Sequence, residues 1–301
     1  MNWPPGVIRQ EPLARHSTLK LGGRATYFAE PSSEAELIRL ASFAHSNRVP
    51  LVVVGHGTNV LFDDSGYAGL VLKIGPRMSS IQINGDVIDV QAGAWVPGVA
   101  RKAQTCGLSG LEHIVGIPGT LGGLIVMNGG SRREAIEESI ESVRVMSADG
   151  TIETYDREQC AFGYRKSAFQ ENGLIVVSAK LVCSKSSSRQ VRTEMRQILR
   201  SRRQRFPRKL ANCGSVFKSD PSVFHEFGSP GSMIEKLGLK GHRIGGACIS
   251  DMHANFFLNV GSATSGDYLA LIDFVQEKVA EAFGVTLQLE VIVQRDNGML
   301  V

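Results

Sequence analysis

One short stretch of the chain combines a serine with basic residues. From Arg208 to Pro221 it reads RKLANCGSVFKSDP, so that Ser215 follows a Cys-Gly pair and stands three residues before Lys218. The nucleophile elbow GxSxG of serine hydrolases is absent, because Cys213 and Phe217 occupy its two glycine positions. Serine can instead donate a proton, but its acidity is so low that a neighbouring charge arrangement must help it.

Two charged residues elsewhere in the chain could supply that help. They are Arg165, in FGYRKSAF, and Glu290, in LQLEVIV. Taken singly, Ser215 is typical of a turn or cap, Arg165 of a surface charge and Glu290 of a solvated strand residue. Residue types alone leave both interpretations open.

The first glycine loop, VVVGHGTNVLF, follows an apolar run that predicts a buried strand. Gly55 and Gly57 suggest dinucleotide binding, but that fingerprint needs a third glycine and an immediate helix, and here the chain continues as strand and turn. Two interpretations remain. Successive amides of Gly-Thr-Asn form a nest that binds phosphate, or the loop is a tight β-turn in which His56 is a turn residue.

The second loop, GIPGTLGGLIVMNGG, has four glycines within eight residues, Gly116 to Gly123. This density removes side chains where a planar or polyanionic group comes close, or where two segments cross tightly. Two such loops in one chain favour a single extended, nucleotide-like ligand.

The arginine-rich segment RQILRSRRQRFPRK could contact a phosphate backbone, which would indicate a nucleic-acid reader. An apolar helical face runs through the same segment, and no set of aromatic residues for base stacking accompanies it. We therefore expect a solvated face with one or two arginines turned toward a bound phosphate. A net charge of +4 also fits a small anionic ligand.

Composition excludes several other classes of protein. The five cysteines include no CxxC pair, and no His or Cys spacing matches a metal site, so we expect reduced thiols in a cytoplasmic protein without a metal. No leader-like apolar segment opens the chain and no run is long enough to span a bilayer, so membrane insertion is not expected.

Periodicity places these motifs on elements. Helices are predicted from a Ser33/Glu36 capping box, over Val191–Phe206 up to Pro207, and from a Thr264/Asp267 capping box to Gly284. The run LVVV predicts a strand buried on both faces, Ala148-Asp149-Gly150 a hairpin turn, and VTLQLEVIV an alternating strand.

The motifs jointly resemble one family. In order, STLKLGGRATYF, VVGHGTNVLF, GLSGLEHIVGIPGTLGG, FGYRKSAF, CGSVFKSDP, MIEKLGLKGHRIGGACISDMHANFFLN and LQLEV look like the UDP-N-acetylenolpyruvoylglucosamine reductase (MurB) family of peptidoglycan synthesis. They cover nearly the whole chain, and the continuous block after GSVFK resembles the shorter, type II branch.

The resemblance implies an α+β architecture with an FAD-binding fold of the vanillyl-alcohol oxidase (PCMH) type. Residues 1–70 and 71–200 would form its two subdomains, and residues 201–301 a C-terminal α+β substrate-binding domain.

The resemblance also implies a two-stage reaction. NADPH reduces non-covalently bound FAD and leaves, and UDP-N-acetylglucosamine enolpyruvate takes its place. Hydride then passes from flavin N5 to C3 of the enolpyruvyl group, and protonation of C2 gives UDP-N-acetylmuramate. We expect a monomeric, cytoplasmic enzyme with no nucleic-acid partner.

Roles for individual residues follow from the same resemblance. Ser215 would deliver the proton, and Arg165 and Glu290 would stabilise the enol-like intermediate. The positions carried over as FAD contacts are Gly55, His56, Gly57, Thr58, Asn59, Val60, Gly119, Gly122 and Arg202. Those carried over as substrate contacts are Lys218, Ser219 and Lys240, the last at the diphosphate.

Two positions depart from the family pattern. Ser219 stands where an asparagine is common after GSVFK, and Ile292 replaces an arginine expected near the flavin. We expect weaker or rearranged flavin contact but retained catalysis. The alternatives are another flavoprotein of the same fold with a different substrate, and a flavin- or nucleotide-sugar-binding regulator without turnover.

Overall fold

The computed structural model of the chain describes residues 2–219, 224–295 and 298–300. These residues form two compact units, each assembled from separate pieces of the sequence. The first comprises Met1–Arg9, Tyr27–His56 and Gly69–Arg202, and the second comprises Gln10–Thr26, Gly57–Ala68 and Arg203–Val301. The three-part division expected at residues 70 and 200 stays a prediction.

The helices and strands have the following bounds. The α-helices are α1 Glu34–Ser46, α2 Val96–Thr105, α3 Leu121–Val126, α4 Ala168–Glu171, α5 Ser188–Arg205, α6 Phe224–Phe227, α7 Pro230–Lys236 and α8 Ser265–Phe283. Strands of the amino-terminal half are β1 Ile8–Pro12, β2 Arg24–Ala29, β3 Leu51–Val54, β4 Val60–Phe62, β5 Tyr67–Lys73, β6 Ile81–Asn84, β7 Val87–Gln91, β8 Leu108–Ser109 and β9 Ile140–Met146. The remaining strands are β10 Ile152–Asp156, β11 Ile175–Val182, β12 Ser184–Lys185, β13 Ala211–Ser215, β14 Arg243–Ile244, β15 Ala247–Ile249, β16 Phe256–Asn259, β17 Ile292–Arg295 and β18 Gly298–Leu300.

The first unit is built on an antiparallel sheet in the order β10-β9-β11-β7-β6. Its core is continuous and takes in the buried face of α1, the inner side chains of this sheet and the start of α5. The hairpin expected around Asp149 is confirmed, because β9 and β10 pair across it with Met146 opposite Ile152. The helix expected to end before Pro207 is also confirmed as α5.

A second sheet has the order β1-β2-β5-β3. Within the first unit β3 pairs parallel with β5, Leu51 opposite Leu70. Burial of LVVV on both faces was expected, but only Val54 is buried, because β3 ends the sheet and keeps one open edge.

The start of α1 differs from the expected capping box. Ser33 caps the helix by accepting the N–H of Glu36 at 3.2 Å, as expected. The Glu36 carboxylate, however, accepts from the N–H and hydroxyl of Ser32, at 2.9 and 2.7 Å, one residue before the cap. These bonds hold the pKa of Glu36 below its usual value.

The second unit contains the antiparallel sheet β13-β16-β15-β14 and the smaller sheet β18-β17-β4. Its core is separate from that of the first unit and is lined by one face of α8. The predicted caps of α8 are confirmed: Thr264 and Asp267 form a capping box, and Gly284 ends the helix at φ 67°.

The last predicted strand is shorter than expected, beginning at Ile292 rather than Val285. The side chains still alternate, with Leu287 and Val291 buried and Gln288 exposed. The segment is extended but changes partner: Leu289 bridges Phe217, whereas Ile292 pairs with Val60 in β4. A continuous ladder cannot form where a strand passes from one neighbour to another.

Within the described part of the chain, every helix is too short or too polar to cross a bilayer.

Candidate active site

Ser215 is the last residue of β13 and lies opposite Phe256 of β16. The register of this pair slips between Asn212 and Ser215, and Gly214 takes φ +85° at the slip. Such a backbone suits glycine, which has no Cβ to clash. Asn212 stabilises the turn by accepting the N–H of Gly214 at 3.0 Å. The Cys-Gly pair before Ser215 is therefore part of a β-bulge that redirects the strand.

Glu290 lies on the segment next to this strand. Its N–H donates to the carbonyl of Val216 at 2.8 Å, one residue beyond Ser215. Its own carbonyl accepts the Asn59 side-chain amide at 3.0 Å, and the N–H of Ile292 donates to the Asn59 carbonyl at 3.1 Å. The second unit therefore brings Ser215, Glu290 and the loop containing Asn59 together.

The Gly57–Val60 loop is fastened in the same unit by Thr18. The Thr18 hydroxyl donates to the carbonyls of Gly57 at 3.1 Å and Asn212 at 2.8 Å. A Cβ on Gly57 would lie 1.9 Å from the carbonyl oxygen of His16, so only glycine fits there. Ser17 donates to the Val60 carbonyl at 3.4 Å. Thus the motif STLKLGG holds this loop beside the bulge that leads to Ser215.

The expected substrate residues lie in two places: Lys218 and Ser219 follow Ser215, and Lys240 lies after α7. Lys218 directly follows the Ser215 segment, and its N–H donates to the Gln288 carbonyl at 2.8 Å. Ser219 is the last residue described before the gap at 220–223. Lys240, by contrast, forms an ion pair with Glu235 just after α7. Its charge also acts on His253, whose pKa is lowered by burial first and then by the nearby Arg205 and Lys240 cations.

Asn255 is a buried residue to which the sequence assigned no role. Its side chain is 1% exposed and bonds the backbone of Phe217 twice: Oδ1 accepts the N–H at 3.0 Å, and Nδ2 donates to the carbonyl at 2.9 Å. The Asn255 carbonyl accepts the N–H of Val216 at 2.9 Å. The only sequence signal was an asparagine preceding the apolar strand FFLN, which is too common a pattern to interpret.

In the first unit the two glycine loops meet. A Cβ on Gly55 would lie 2.1 Å from Oγ1 of Thr120, a residue 3% exposed at the start of α3. Gly55 and the second loop are therefore in direct contact. His56, next in sequence, is half-buried, and burial together with the Lys73 cation lowers its pKa.

Gly119 and Gly122 have backbone partners within the same unit. The Gly119 carbonyl accepts the N–H of Val96 at 3.0 Å, and the Gly122 N–H donates to the Ala92 carbonyl at 2.8 Å. A Cβ on Gly122 would lie 3.0 Å from that of Ala92. Gly122 therefore allows close packing within the protein, and its amide is already engaged.

Arg202 lies against the second loop. A Cβ on Gly116 would be 2.3 Å from Cδ and 2.6 Å from Nε of Arg202, so the arginine side chain rests on the bare Gly116 backbone. The glycine makes room for this cation, which is half-buried at the carboxyl-terminal end of the first unit. The spacing of Arg202 on α5 indicated a helix but not this contact.

Arg165 stands at the tip of a tight turn in the first unit. Gly163 and Lys166 exchange two backbone hydrogen bonds of 3.1 Å, and Arg165 has φ +54°. Its guanidinium lies 5.1 Å from the centre of the Tyr164 ring and donates to the Asn128 carbonyl at 3.5 Å. The Asn128 side chain, 2% exposed, in turn donates to the Gly163 carbonyl at 3.0 Å. Buried Asn128 therefore holds the turn that carries Arg165.

A surface cavity of about 430 Å³ lies elsewhere in the first unit, near the start of α5. It is lined by Arg132, Ser187, Arg189, Gln190, Thr193, Glu194 and Gln197. None of the expected site residues lines it.

Comparison with known proteins identifies relatives over nearly the whole chain. Residues 206–294 match the family described as UDP-N-acetylenolpyruvoylglucosamine reductase, C-terminal domain, and residues 25–156 match an FAD binding domain. UDP-N-acetylenolpyruvoylglucosamine reductase 1 of Corynebacterium glutamicum is 42% identical over 280 residues, which cover 93% of this chain and 84% of that protein. The reductase of Streptococcus pneumoniae is 38% identical over 282 residues, 94% of this chain and 92% of its own length.

A solved structure agrees with these relatives. The UDP-N-acetylenolpyruvylglucosamine reductase from Thermus caldophilus superposes with a TM-score of 0.82 at 32% identity, covering 96% of this chain and 99% of that one. The expected fold class, an FAD-binding fold followed by a C-terminal α+β domain, is confirmed. The roles assigned to single residues stay predictions.

Proposed function

The chain belongs to the UDP-N-acetylenolpyruvoylglucosamine reductase family, and we propose that it uses NADPH, FAD and the residue set Ser215, Arg165 and Glu290 to make UDP-N-acetylmuramate. The family and its FAD-binding domain support an FAD-dependent UDP-N-acetylenolpyruvoylglucosamine reductase. The use of NADPH and the roles of Ser215, Arg165 and Glu290 are what we propose beyond that.

The residues of the first unit fit a flavin nucleotide. The Thr120 side chain packs directly on Gly55, and the Arg202 cation lies on Gly116 of the same loop region. Glycine-rich backbone beside a cation suits the diphosphate of a nucleotide. When bound, FAD supplies hydride transfer, from NADPH and then to C3 of the enolpyruvyl group. We assign Gly55, His56, Gly119 and Arg202 to its binding.

Four further residues assigned to FAD belong to the second unit. Gly57, Thr58, Asn59 and Val60 form a loop whose backbone is held by Thr18 and by the Ile292 N–H. The Asn59 side chain donates to the Glu290 carbonyl, so its contribution to cofactor binding lies in its backbone and in the loop shape it maintains. Gly122 contributes through close packing on Ala92, since its N–H is engaged there.

Ser215 provides the proton in this proposal. Addition of hydride at C3 leaves negative charge at C2 that spreads into the adjacent carboxylate, and preorganised donors near that oxygen lower the barrier. Glu290 and Arg165 serve as those donors, with Glu290 sharing a proton, while the Ser215 hydroxyl gives its proton to C2. The observation that carries this assignment is the hydrogen bond between the Glu290 N–H and the Val216 carbonyl, which sets Glu290 beside the serine.

Substrate binding falls to Lys218, Ser219 and Lys240. Lys218 follows the serine segment directly, and Lys240 is one of two cations acting on His253. Lys240 would exchange its Glu235 carboxylate for a substrate phosphate, a change of one anionic partner for another. The shorter Ser219 and the apolar Ile292 weaken polar contacts without removing the proton donor.

The test separates reduction from oxidation of the cofactor. We expect NADPH to bleach the flavin of the purified holoenzyme in the absence of oxygen, and UDP-N-acetylglucosamine enolpyruvate then to restore its colour. A bleached flavin that ignores this substrate contradicts the proposal and favours a regulator without turnover. A flavin reoxidised by other alcohols or sugars favours a different oxidoreductase of the same fold.

Ser215→Ala tests the proton donor. Reduction by NADPH should stay close to the wild-type rate, whereas reoxidation by the substrate should slow by about 10²-fold or more, the usual contribution of a general acid. Ser262→Ala, at an exposed serine of the same unit, is the matched control and should change neither rate. Equal loss in both half-reactions would make Ser215 a structural residue.

A further inference from the structure

We propose that Asn255 is a positioning residue for the reaction: it fixes the backbone directly after Ser215 and thereby aims the serine hydroxyl. This inference rests on the proposed role of Ser215 as proton donor. It concerns a buried residue whose side chain bonds Phe217, so that it would act through the serine segment.

The geometry that supports the proposal is a three-bond clamp. Asn255 makes an acceptor and a donor bond to Phe217 through its side chain, at 3.0 and 2.9 Å, and a backbone bond to the Val216 N–H at 2.9 Å. A side-chain amide that accepts an N–H and donates to the carbonyl of one residue reproduces the bonding of a neighbouring strand. The clamp is 1% exposed, so water does not compete for these bonds.

This clamp is needed because the regular ladder fails at Ser215. The register of β13 on β16 has already slipped, and Ser215 opposite Phe256 is the last paired residue. Beyond it, the other side of the segment is bonded by Glu290, whose N–H meets the Val216 carbonyl, and by Leu289, which bridges Phe217. Asn255 therefore fixes one edge of the segment, while the segment containing Leu289 and Glu290 fixes the other.

Because the segment after Ser215 is hydrogen-bonded on both sides, the separation between Ser215 and Glu290 stays fixed. Loss of the clamp would leave the Glu290 side bonded and the Phe217 side open, allowing the serine backbone to shift. Displacement of a reacting group by about 1 Å costs on the order of 10²-fold in rate. A residue that served stability alone would instead affect folding and both half-reactions alike.

Asn255→Ala is the first test. In the anaerobic assay we expect NADPH-driven flavin reduction to stay within about 2-fold of wild type and substrate-driven reoxidation to fall by about 10- to 100-fold. In a Ser215→Ala background the same substitution should add nothing further, because the serine it aims is already gone. Asn259→Ala is the matched control and should leave both rates unchanged, because Asn259 lies at the far end of β16 and its side chain bonds Leu19, Gly261 and Ala263.

Asn255→Asp gives a second readout that a structural role would not produce. A protonated carboxyl can accept the Phe217 N–H and donate to its carbonyl as the amide does, whereas the ionised form has no donor. Burial raises the pKa of such a carboxyl, so reoxidation should be near wild type at low pH and should fall as pH rises. The titratable groups nearby are His253, whose Nδ1 accepts the Asn255 N–H, with Arg205, Lys240 and Glu235 around it; all are shared with wild type, which sets the baseline profile.

Two results support the positioning role. Asn255→Ala slows reoxidation selectively and without additivity to Ser215→Ala, or Asn255→Asp adds a new ionisation to the pH profile of reoxidation. Equal loss in both half-reactions, full additivity with Ser215→Ala, or failure of both variants to fold overturns it. If the reduced flavin of the wild-type protein is not reoxidised by the substrate, the proposed function is wrong, and this inference is wrong with it. A normal wild type with an unaffected Ser215→Ala variant overturns the donor assignment and, through it, the positioning role.

Discussion

Contact between the two glycine loops of the first unit makes a quantitative prediction about Gly55→Ala. The new methyl group would lie 2.1 Å from Oγ1 and 3.2 Å from Cγ2 of Thr120, against a shortest tolerated separation of 3.0 Å. The Thr120 side chain or one of the two loops must therefore move by about 0.9 Å. Since Gly55 is not among the positive-φ glycines, the penalty is steric and not one of backbone strain.

The cost follows from the burial of Thr120, which is 3% exposed and has little room to retreat. Inserting a methylene into a packed site costs about 1–3 kcal/mol. If the displaced loops bind FAD, that penalty lowers FAD affinity by about 5- to 150-fold, at 1.4 kcal/mol for each factor of ten. The measurement is titration of the apoprotein with FAD, followed by quenching of flavin fluorescence.

A second substitution identifies the clashing atom. Thr120 makes no side-chain cap bond, so Thr120→Ala alone should be mild, and combined with Gly55→Ala it should restore most of the affinity by removing Oγ1 and Cγ2. Thr120→Val is the matched control, since it retains both branches and should give no rescue. Wild-type affinity in Gly55→Ala, or equal rescue by alanine and valine, would refute the contact as the cause.

Three further outcomes can be checked directly. Burial lowers the pKa of His113 below its usual value of 6.5. As pH falls below 6.5, the unfolded chain binds a proton at this histidine more readily than the folded protein does, so the folded state loses stability. His113→Phe should therefore flatten the decline of Tm below pH 6.5, whereas His45→Gln, at an exposed histidine, should not. Thr264→Ala removes the cap of α8 and should cost about 1 kcal/mol in denaturant unfolding, and a change near zero would argue against the capping box. Maleimide at neutral pH should label Cys106 alone in the native protein and all five thiols after unfolding, as read by mass; native labelling of a buried thiol would contradict its placement.

Local features of the fold were predictable from the sequence. Both caps of α8, the hairpin around Asp149 and the end of α5 before Pro207 depend on residues within a few positions of one another. Their physical causes are a side chain that bonds a nearby N–H or a turn that suits glycine, and both involve residues close together in the sequence. The same holds for the motif Cys-Gly-Ser, which indicated a turn and forms a bulge.

Features that depend on distant partners were not predictable in this way. The edge position of β3 left LVVV half-buried, and the change of partner at Leu289 shortened the last strand. Asn255 and Asn128 hold the segments of Ser215 and Arg165 through bonds that span tens of residues. Asparagine is common in loops, so nothing in its local pattern separates a clamp from a solvated turn.

The assembly of the second unit from three pieces of chain has a consequence for synthesis. Its bond between Asn59 and Glu290 joins residues 231 positions apart, and β4 must wait for β17 as its parallel neighbour. Residues 10–26 and 57–68 therefore leave the ribosome long before the segment that completes their core. During that interval Leu19 and Leu61, fully buried in the finished unit, are exposed on a nascent chain. Contacts between residues so distant in sequence form slowly and leave the chain prone to aggregation meanwhile. The segments of Ser215 and Glu290 therefore become ordered late in folding.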